Sequence, residues 1–166
     1  MTNSGTGVLL YRVDDRLIHG QVVVGWGRHL KVNAILVCSE RVADDELART
    51  MMEMGAPADV KVEVLRLAEA AGKLNGGALS DRSAIVLFET PAEALALVEL
   101  GVAIKSLNIG GMHFREGKRQ IMEGVSVDAE DCRAINELAG RGIDVYVQMV
   151  PQARPQDIIR KLPCDL

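Results

Sequence analysis

The run Val8-Leu-Leu-Tyr-Arg-Val-Asp-Asp-Arg-Leu-Ile-His-Gly-Gln-Val-Val-Val-Gly-Trp26 begins as an apolar strand, stops at two carboxylates and restarts as a helix just past an imidazole. Strand, turn and helix in that order are the first half of a βαβ unit. Val22, Trp26 and Leu30 share one helical face with Val23 beside them, which predicts a helix pinned to the sheet. Working outward, apolar runs rich in β-branched residues recur at 34–37, 60–65, 84–88, 106–109, 125–127 and 144–147, separated by helical patterns. The alternation predicts an α/β fold: a single domain with a mostly parallel central sheet of about seven strands flanked by helices on both faces.

Helix ends carry their own signals. Thr90 reads as an N-cap, Pro91 as the first helical residue and Glu93 as the partner of a capping box, with the helix ending before Gly101. Ala43, Leu47, Met51 and Met54 form a stripe ended by Gly55, and Asp128 caps a helix whose Cys132, Ile135 and Ala139 point inward. Both helices are predicted to pack on the sheet, with Met51, Met52 and Met54 as core residues except for one exposed member. Pro151 and Pro155 punctuate the end, and Ile158, Ile159 and Leu162 predict a short final helix docking an apolar edge. Residues 72–81 are polar enough to read as a loop.

At 166 residues and 48% hydrophobic, the chain is long enough for one well-filled core, read as a domain over 8–166 behind a short polar N-terminal tail, 1–7. A net charge of −4, only 3% aromatics and no basic block argue against a nucleic-acid surface or an anionic-membrane anchor. No apolar stretch approaches the roughly 20 residues that span a bilayer, and the polar start 1–7 has no signal-peptide h-region, so the expectation is a cytoplasmic protein without membrane insertion. Cys38, Cys132 and Cys164 are odd in number and lack ligand spacing, which predicts reduced thiols and neither a disulfide framework nor a metal site.

In open parallel sheets, ligands collect beyond the carboxyl ends of strands. Of those junctions, only 14–21 combines a nucleophile, a cation and a carboxylate. Neutral imidazole can attack phosphorus at neutral pH, and Arg16, three residues before His19, can bind phosphate oxygens while disfavouring the protonated ring. Gly20 and Gln21 supply backbone N–H groups at the helix start. Asp14 or Asp15 can accept a hydrogen bond from one ring nitrogen or hold Arg16, and the sequence leaves that choice open. The plain alternative is a loop histidine beside a helix cap and its ion pair. His29 reads as a solvated helix residue, and His113 as a loop histidine or a second acid–base group. The Asn108-Ile-Gly-Gly111 turn reads as a tight turn or a backbone wall for a ligand, because glycine permits close approach. Cys38, at a strand's carboxyl end, is a chemical rival as a phosphocysteine, although a small buried residue is the simpler reading.

The segment Arg-Val-Asp-Asp-Arg-Leu-Ile-His19-Gly-Gln-Val with Gly25-Trp26 resembles the phosphorylation loop of the IIB proteins of the bacterial sugar phosphotransferase system, in the mannose/fructose/sorbose family. The resemblance continues through Val86-Leu-Phe-Glu-Thr-Pro91, Ser106-Leu-Asn-Ile-Gly-Gly-Met-His-Phe114, Ser126-Val-Asp-Ala-Glu-Asp131 and Gly140-Arg-Gly-Ile143. It implies a phosphohistidine at His19, charged by a IIA phosphocarrier protein or domain and discharged to a hexose at the membrane IIC/IID transporter, with no cofactor. By the same resemblance Arg16 binds the phosphate, Asp14 and Asp15 are the loop's acidic positions, and Phe88, Thr90, Asn108, Gly110 and Gly111 border the site. Glu89 departs from the uncharged polar residue expected there, and its carboxylate is expected to repel a phosphohistidine. A regulatory phospho-acceptor that transfers no sugar carries the same motif. A nucleotide-binding domain is disfavoured, since no GxGxxG or Walker-type loop follows a strand. Whether the chain forms a homo-oligomer is left open.

Overall fold

The computed structural model describes residues 7–163, so residues 1–6 of the polar tail and Cys164 lie outside the described residues. The main sheet runs in the order β3 (Lys61–Leu65), β2 (Ala34–Cys38), β4 (Ala84–Phe88), β1 (Val8–Asp14), β5 (Ser106–Gly111), β8 (Asp144–Val147) and β9 (Gln156–Asp157). All neighbours are parallel except β9, which pairs antiparallel to β8. A π-helical segment Gln21–Gly27, α1 (Arg28–Leu30), α2 (Glu40–Asp44) and α3 (Glu46–Met54) lie on one face, where Leu10, Ile35, Val37 and Leu87 are buried with Val22 and Trp26. On the other face α4 (Leu67–Asn75), α5 (Pro91–Glu99) and α6 (Ala129–Gly140) cover Tyr11, Val86, Phe88, Leu107 and Ile109. Alternation of side chains along each buried strand divides the core in this way.

The chain leaves β1 toward β2 on one side and, after β4, crosses to β5 on the other. The carboxyl end of β1 therefore faces the crevice where strand order reverses, the usual place for a ligand in such sheets.

Four local readings change. The strand at Val125–Val127 (β7) is not in the main sheet: it forms an antiparallel hairpin with β6 (Arg119–Met122), turned at Gly124 with φ +71°. The main sheet's seventh strand is instead the two-residue β9, too short and polar to show a period. The Ala43–Met54 stripe is broken at Asp45, whose extended backbone ends α2 and whose carboxylate caps α3 through the Ala48 N–H. The break rotates α3 so that Ala48 and Met52 touch the core while Leu47, Met51 and Met54 are exposed. Residues 67–75, partly read as loop, are α4: the Glu69 carboxylate caps the Arg66 N–H, and Ala70, Ala71 and Leu74 are buried. At the end, Ile158 is buried and Leu162 packs on the core, but the helix between them is a single 3₁₀ turn, Ile159–Lys161, with Ile159 outward.

Candidate functional site

β1 delivers its last residues through an irregularity. Val13 pairs with Ile109 and Asp14 with Gly111, so Gly110 is skipped in the register. A Cβ on Gly110 would lie 1.8 Å from Cζ of Arg12, and one on Gly111 would lie 3.2 Å from Asp14 Oδ1. The two glycines thus leave room for a buried guanidinium and a buried carboxylate. Beyond Asp14 the chain turns through Leu17, whose N–H bonds to Asp14 O at 2.9 Å and whose φ is +56°. A buried leucine in the left-handed region is strained, and burial of its side chain holds the turn in place. His19 stands just ahead of the helical segment, and its carbonyl accepts from the N–H groups of both Val22 and Val23 at 3.0 Å. The N–H groups of Gly20 and Gln21 precede these first helical bonds, at the end where an anion is favoured.

Asp14 is the hub. Its Oδ2 accepts from Arg12 Nη2 at 3.1 Å and lies 3.0 Å from His19 Nε2, while Oδ1 accepts from the Arg16 N–H at 3.2 Å and from Arg16 Nε at 3.3 Å. Two donors per oxygen use the full acceptor capacity of a carboxylate. Burial by itself pushes the Asp14 pKa up, but the hydrogen bond from His19 and the charges of Arg12 and Arg16 outweigh it and hold the group at about 2. The carboxylate is therefore ionised at neutral pH and only accepts. In the neutral ring of His19 the proton therefore sits on Nε2 and the lone pair on Nδ1. The His19 side chain is 17% exposed, so the ring is not sealed in the interior.

Arg16, with its side chain 39% exposed, is held at a second point by Nη2 donating to Gln21 Oε1 at 3.1 Å. The same two residues line a cleft of about 530 Å³ whose other walls include Gly110, Gly111, His113 and Arg154. His19, Arg16, Asp14, Gly20 and Gln21 are thus brought together, and the open choice between the two aspartates is resolved in favour of Asp14. Asp15 serves His113 instead: Oδ1 pairs with Nδ1 at 2.6 Å and Oδ2 accepts the backbone N–H at 2.7 Å.

Other residues expected at the border fall elsewhere. Phe88 is fully buried and stacks on Tyr11 at 6.5 Å, because its register position faces the α5 side of the sheet. Asn108 is also fully buried and acts from behind, accepting from Arg12 Nη1. Thr90 caps α5 and lines a smaller cleft with Asp15, Arg41 and Met112. The Glu89 carboxylate, expected to repel phosphate, is bound by Arg41 at 2.6 Å and by Ser39 Oγ at 2.7 Å, which offsets its charge. Cys38 has no exposed surface, and burial pushes its thiol pKa far up, so it is neither reachable nor nucleophilic. His29 is exposed, edge-on to Trp26.

The residue missed is Arg12. Fully buried, it donates to Asp14, to Asn108 and to the carbonyls of Gln148 and Met149, and it lies 5.5 Å from the Trp26 ring. Trp26 Nε1 donates to the same Met149 carbonyl at 3.0 Å, so one cation ties β1, β5, the helix and the loop after β8 together. The signal was present: an arginine inside an otherwise apolar strand, two residues before an aspartate and so on the same face.

Glu93 adds a pH dependence. Burial, aided by the Glu89 charge, raises its pKa from 4.5 to about 7 against the opposing N–H groups of Glu89 and Thr90 and the Arg41 charge. The stability it confers is present below pH 4.5 and is lost as pH rises through 7. Glu93→Gln keeps the cap acceptor without the charge, so in urea titrations its advantage over wild type should grow by about 2 kcal/mol between pH 5 and pH 8. A constant gap contradicts this.

Among the described residues no helix is long and apolar enough to cross a membrane, and no three metal-ligating side chains cluster. The sequence matches the family described as the PTS system sorbose subfamily IIB component over residues 8–164. The sorbose-specific EIIB component of Klebsiella pneumoniae is 36% identical over 155 residues, 93% of this chain and 94% of that protein. The mannose-specific EIIAB component of Escherichia coli is 39% identical over 156 residues, covering 92% of this chain and 48% of that protein. The crystal structure of the IIBSor domain of the sorbose permease from Klebsiella pneumoniae superposes with a TM-score of 0.87 at 36% identity, over 93% of this chain and 94% of that one.

Proposed function

The chain belongs to the sorbose subfamily of phosphotransferase-system IIB components, and on that premise we propose that it is a cytoplasmic phosphocarrier whose His19 accepts a phosphoryl group from a IIA phosphohistidine and passes it to a hexose at membrane IIC and IID components. The observation that carries this reading is the Asp14–His19 pair: the carboxylate occupies Nε2 and leaves Nδ1 as a directed nucleophile. As Nδ1 bonds to phosphorus the ring becomes cationic, and Asp14, already ionised, stabilises that charge through Nε2–H. Arg16 meets the phosphoryl oxygens, and the N–H groups of Gly20 and Gln21 add fixed donors where charge spreads over the transferring group. Discharge reverses the sequence, the P–N electron pair returning to Nδ1. The fused EIIAB arrangement of the mannose-specific relative supports a IIA domain as the donor.

Incubation with a phosphorylated IIA protein of the subfamily tests the reading. The expected product is an acid-labile, alkali-stable phosphoryl label on this chain that is lost to sugar when IIC and IID membranes are added. A chain that stays unlabelled contradicts it, and one that labels but never discharges fits the regulatory alternative. Arg16→Ala should slow labelling in rapid-quench measurements by about 2–4 kcal/mol in barrier, as for loss of a charge-stabilising donor. An unchanged rate removes Arg16 from the mechanism.

A further inference from the structure

Two aspartate–histidine pairs stand at the end of β1, and they engage opposite ring nitrogens. Asp14 holds Nε2 of His19, whereas Asp15 holds Nδ1 of His113. Asp15 grips both the ring and the backbone N–H of His113, which fixes the side chain's rotation as well as its tautomer. The Asp15 side chain is only 13% exposed, so the grip is sheltered, while the His113 ring is 51% exposed and lines the cleft shared by Arg16, Gln21 and Gly111. In the neutral ring the proton on Nδ1 donates to the carboxylate, and Nε2 keeps a lone pair. This is the arrangement of an oriented base.

Accepting phosphate from another imidazole has no use for such a base, because a ring nitrogen attacks with a free lone pair and no proton has to leave. Discharge to a hydroxyl is different. The P–O bond forms, the P–Nδ1 bond of His19 breaks with its electron pair returning to the ring, and the hydroxyl proton must go to an acceptor. We propose that His113, positioned by Asp15, is the general base that takes this proton at Nε2 when His19 passes its phosphoryl group to a hydroxyl brought against Arg16, which bonds to the carboxylate holding His19 and lines the cleft with His113. The assignment rests on the phosphocarrier reading of His19. His113 ends the step as an imidazolium paired with Asp15 and returns its proton to water. Asp15 is a positioning residue.

The test compares two acceptors for the same phosphorylated protein. Return of phosphate to unphosphorylated IIA uses an imidazole acceptor, and discharge to mannose or sorbose in vesicles carrying subfamily IIC and IID components uses a hydroxyl. In His113→Asn the ratio of hydroxyl to imidazole rates should fall roughly 100-fold, the usual contribution of a general base. Asp15→Asn should lower the same ratio less. Misfolding, or a damaged His19, lowers both rates together and leaves the ratio in place. A His113→Asn ratio equal to the wild type's overturns the base assignment while leaving His19 as the carrier. A wild-type protein that takes no label overturns the carrier reading itself, and one that labels but discharges to neither sugar overturns sugar transfer and this inference with it.

Discussion

His19→Gln takes no label from a phosphorylated IIA protein, yet it stays folded. The glutamine amide can donate an N–H toward Asp14 Oδ2 much as Nε2 does, and Asp14 keeps its bonds from Arg12 and Arg16. What glutamine lacks is a nucleophilic nitrogen, since the amide lone pair is delocalised into the carbonyl. Label counting by mass spectrometry, with urea unfolding as the control for fold, checks both halves. Label that persists in this variant moves the acceptor elsewhere, and Cys38 is closed to that role by its complete burial.

Arg12→Met should destabilise the protein by about 3–5 kcal/mol, the cost of removing one member of a buried ion pair, with Asp14 left to Arg16 and His19. The figure is large because Asp14 and Arg12 both have no exposed surface and because Arg12 is one of two donors to each of the Gln148 and Met149 carbonyls. Removing both charges in Arg12→Met/Asp14→Leu should recover part of the loss, since a buried carboxylate that has lost the Arg12 charge is the main penalty. Gly110→Ala attacks the same point from β5, with a methyl placed inside the volume of the guanidinium. Urea midpoints of the three variants decide the matter: an Arg12→Met protein as stable as wild type would mean that the ion pair is not what holds this end of the sheet.

Much of this architecture is legible in the chain. Alternation of β-branched runs and capped helices set out six strands of the main sheet, and Thr90, Pro91, Glu93 and Asp128 marked helix starts that the hydrogen bonds reproduce. The turn at 14–21 stood out because nucleophile, cation and carboxylate fall within eight residues. Where reading failed, the deciding force was non-local or a single backbone angle. One extended residue, Asp45, turned an inward stripe outward. Residues 72–75 read as loop for their polarity, yet they close α4, where Gly72 has open space at the position of a Cβ. The separate roles of Asp14 and Asp15 depend on Gly111 at the end of β5 and on His113 just beyond it, which lie far off in sequence but beside them in space. Arg12 escaped notice because two of its four hydrogen-bond partners are main-chain carbonyls, which leave no trace in residue types, and a third, Asn108, is remote in sequence.

The account turns on which nitrogen of which ring bonds to phosphorus, and ¹⁵N-histidine labelling with phosphorus–nitrogen coupling measured after phosphorylation by IIA reads that directly. Coupling to Nδ1 of His19, with Nε2 still protonated against Asp14, is the expected result. Coupling to Nε2 of His19, or to either nitrogen of His113, would contradict it.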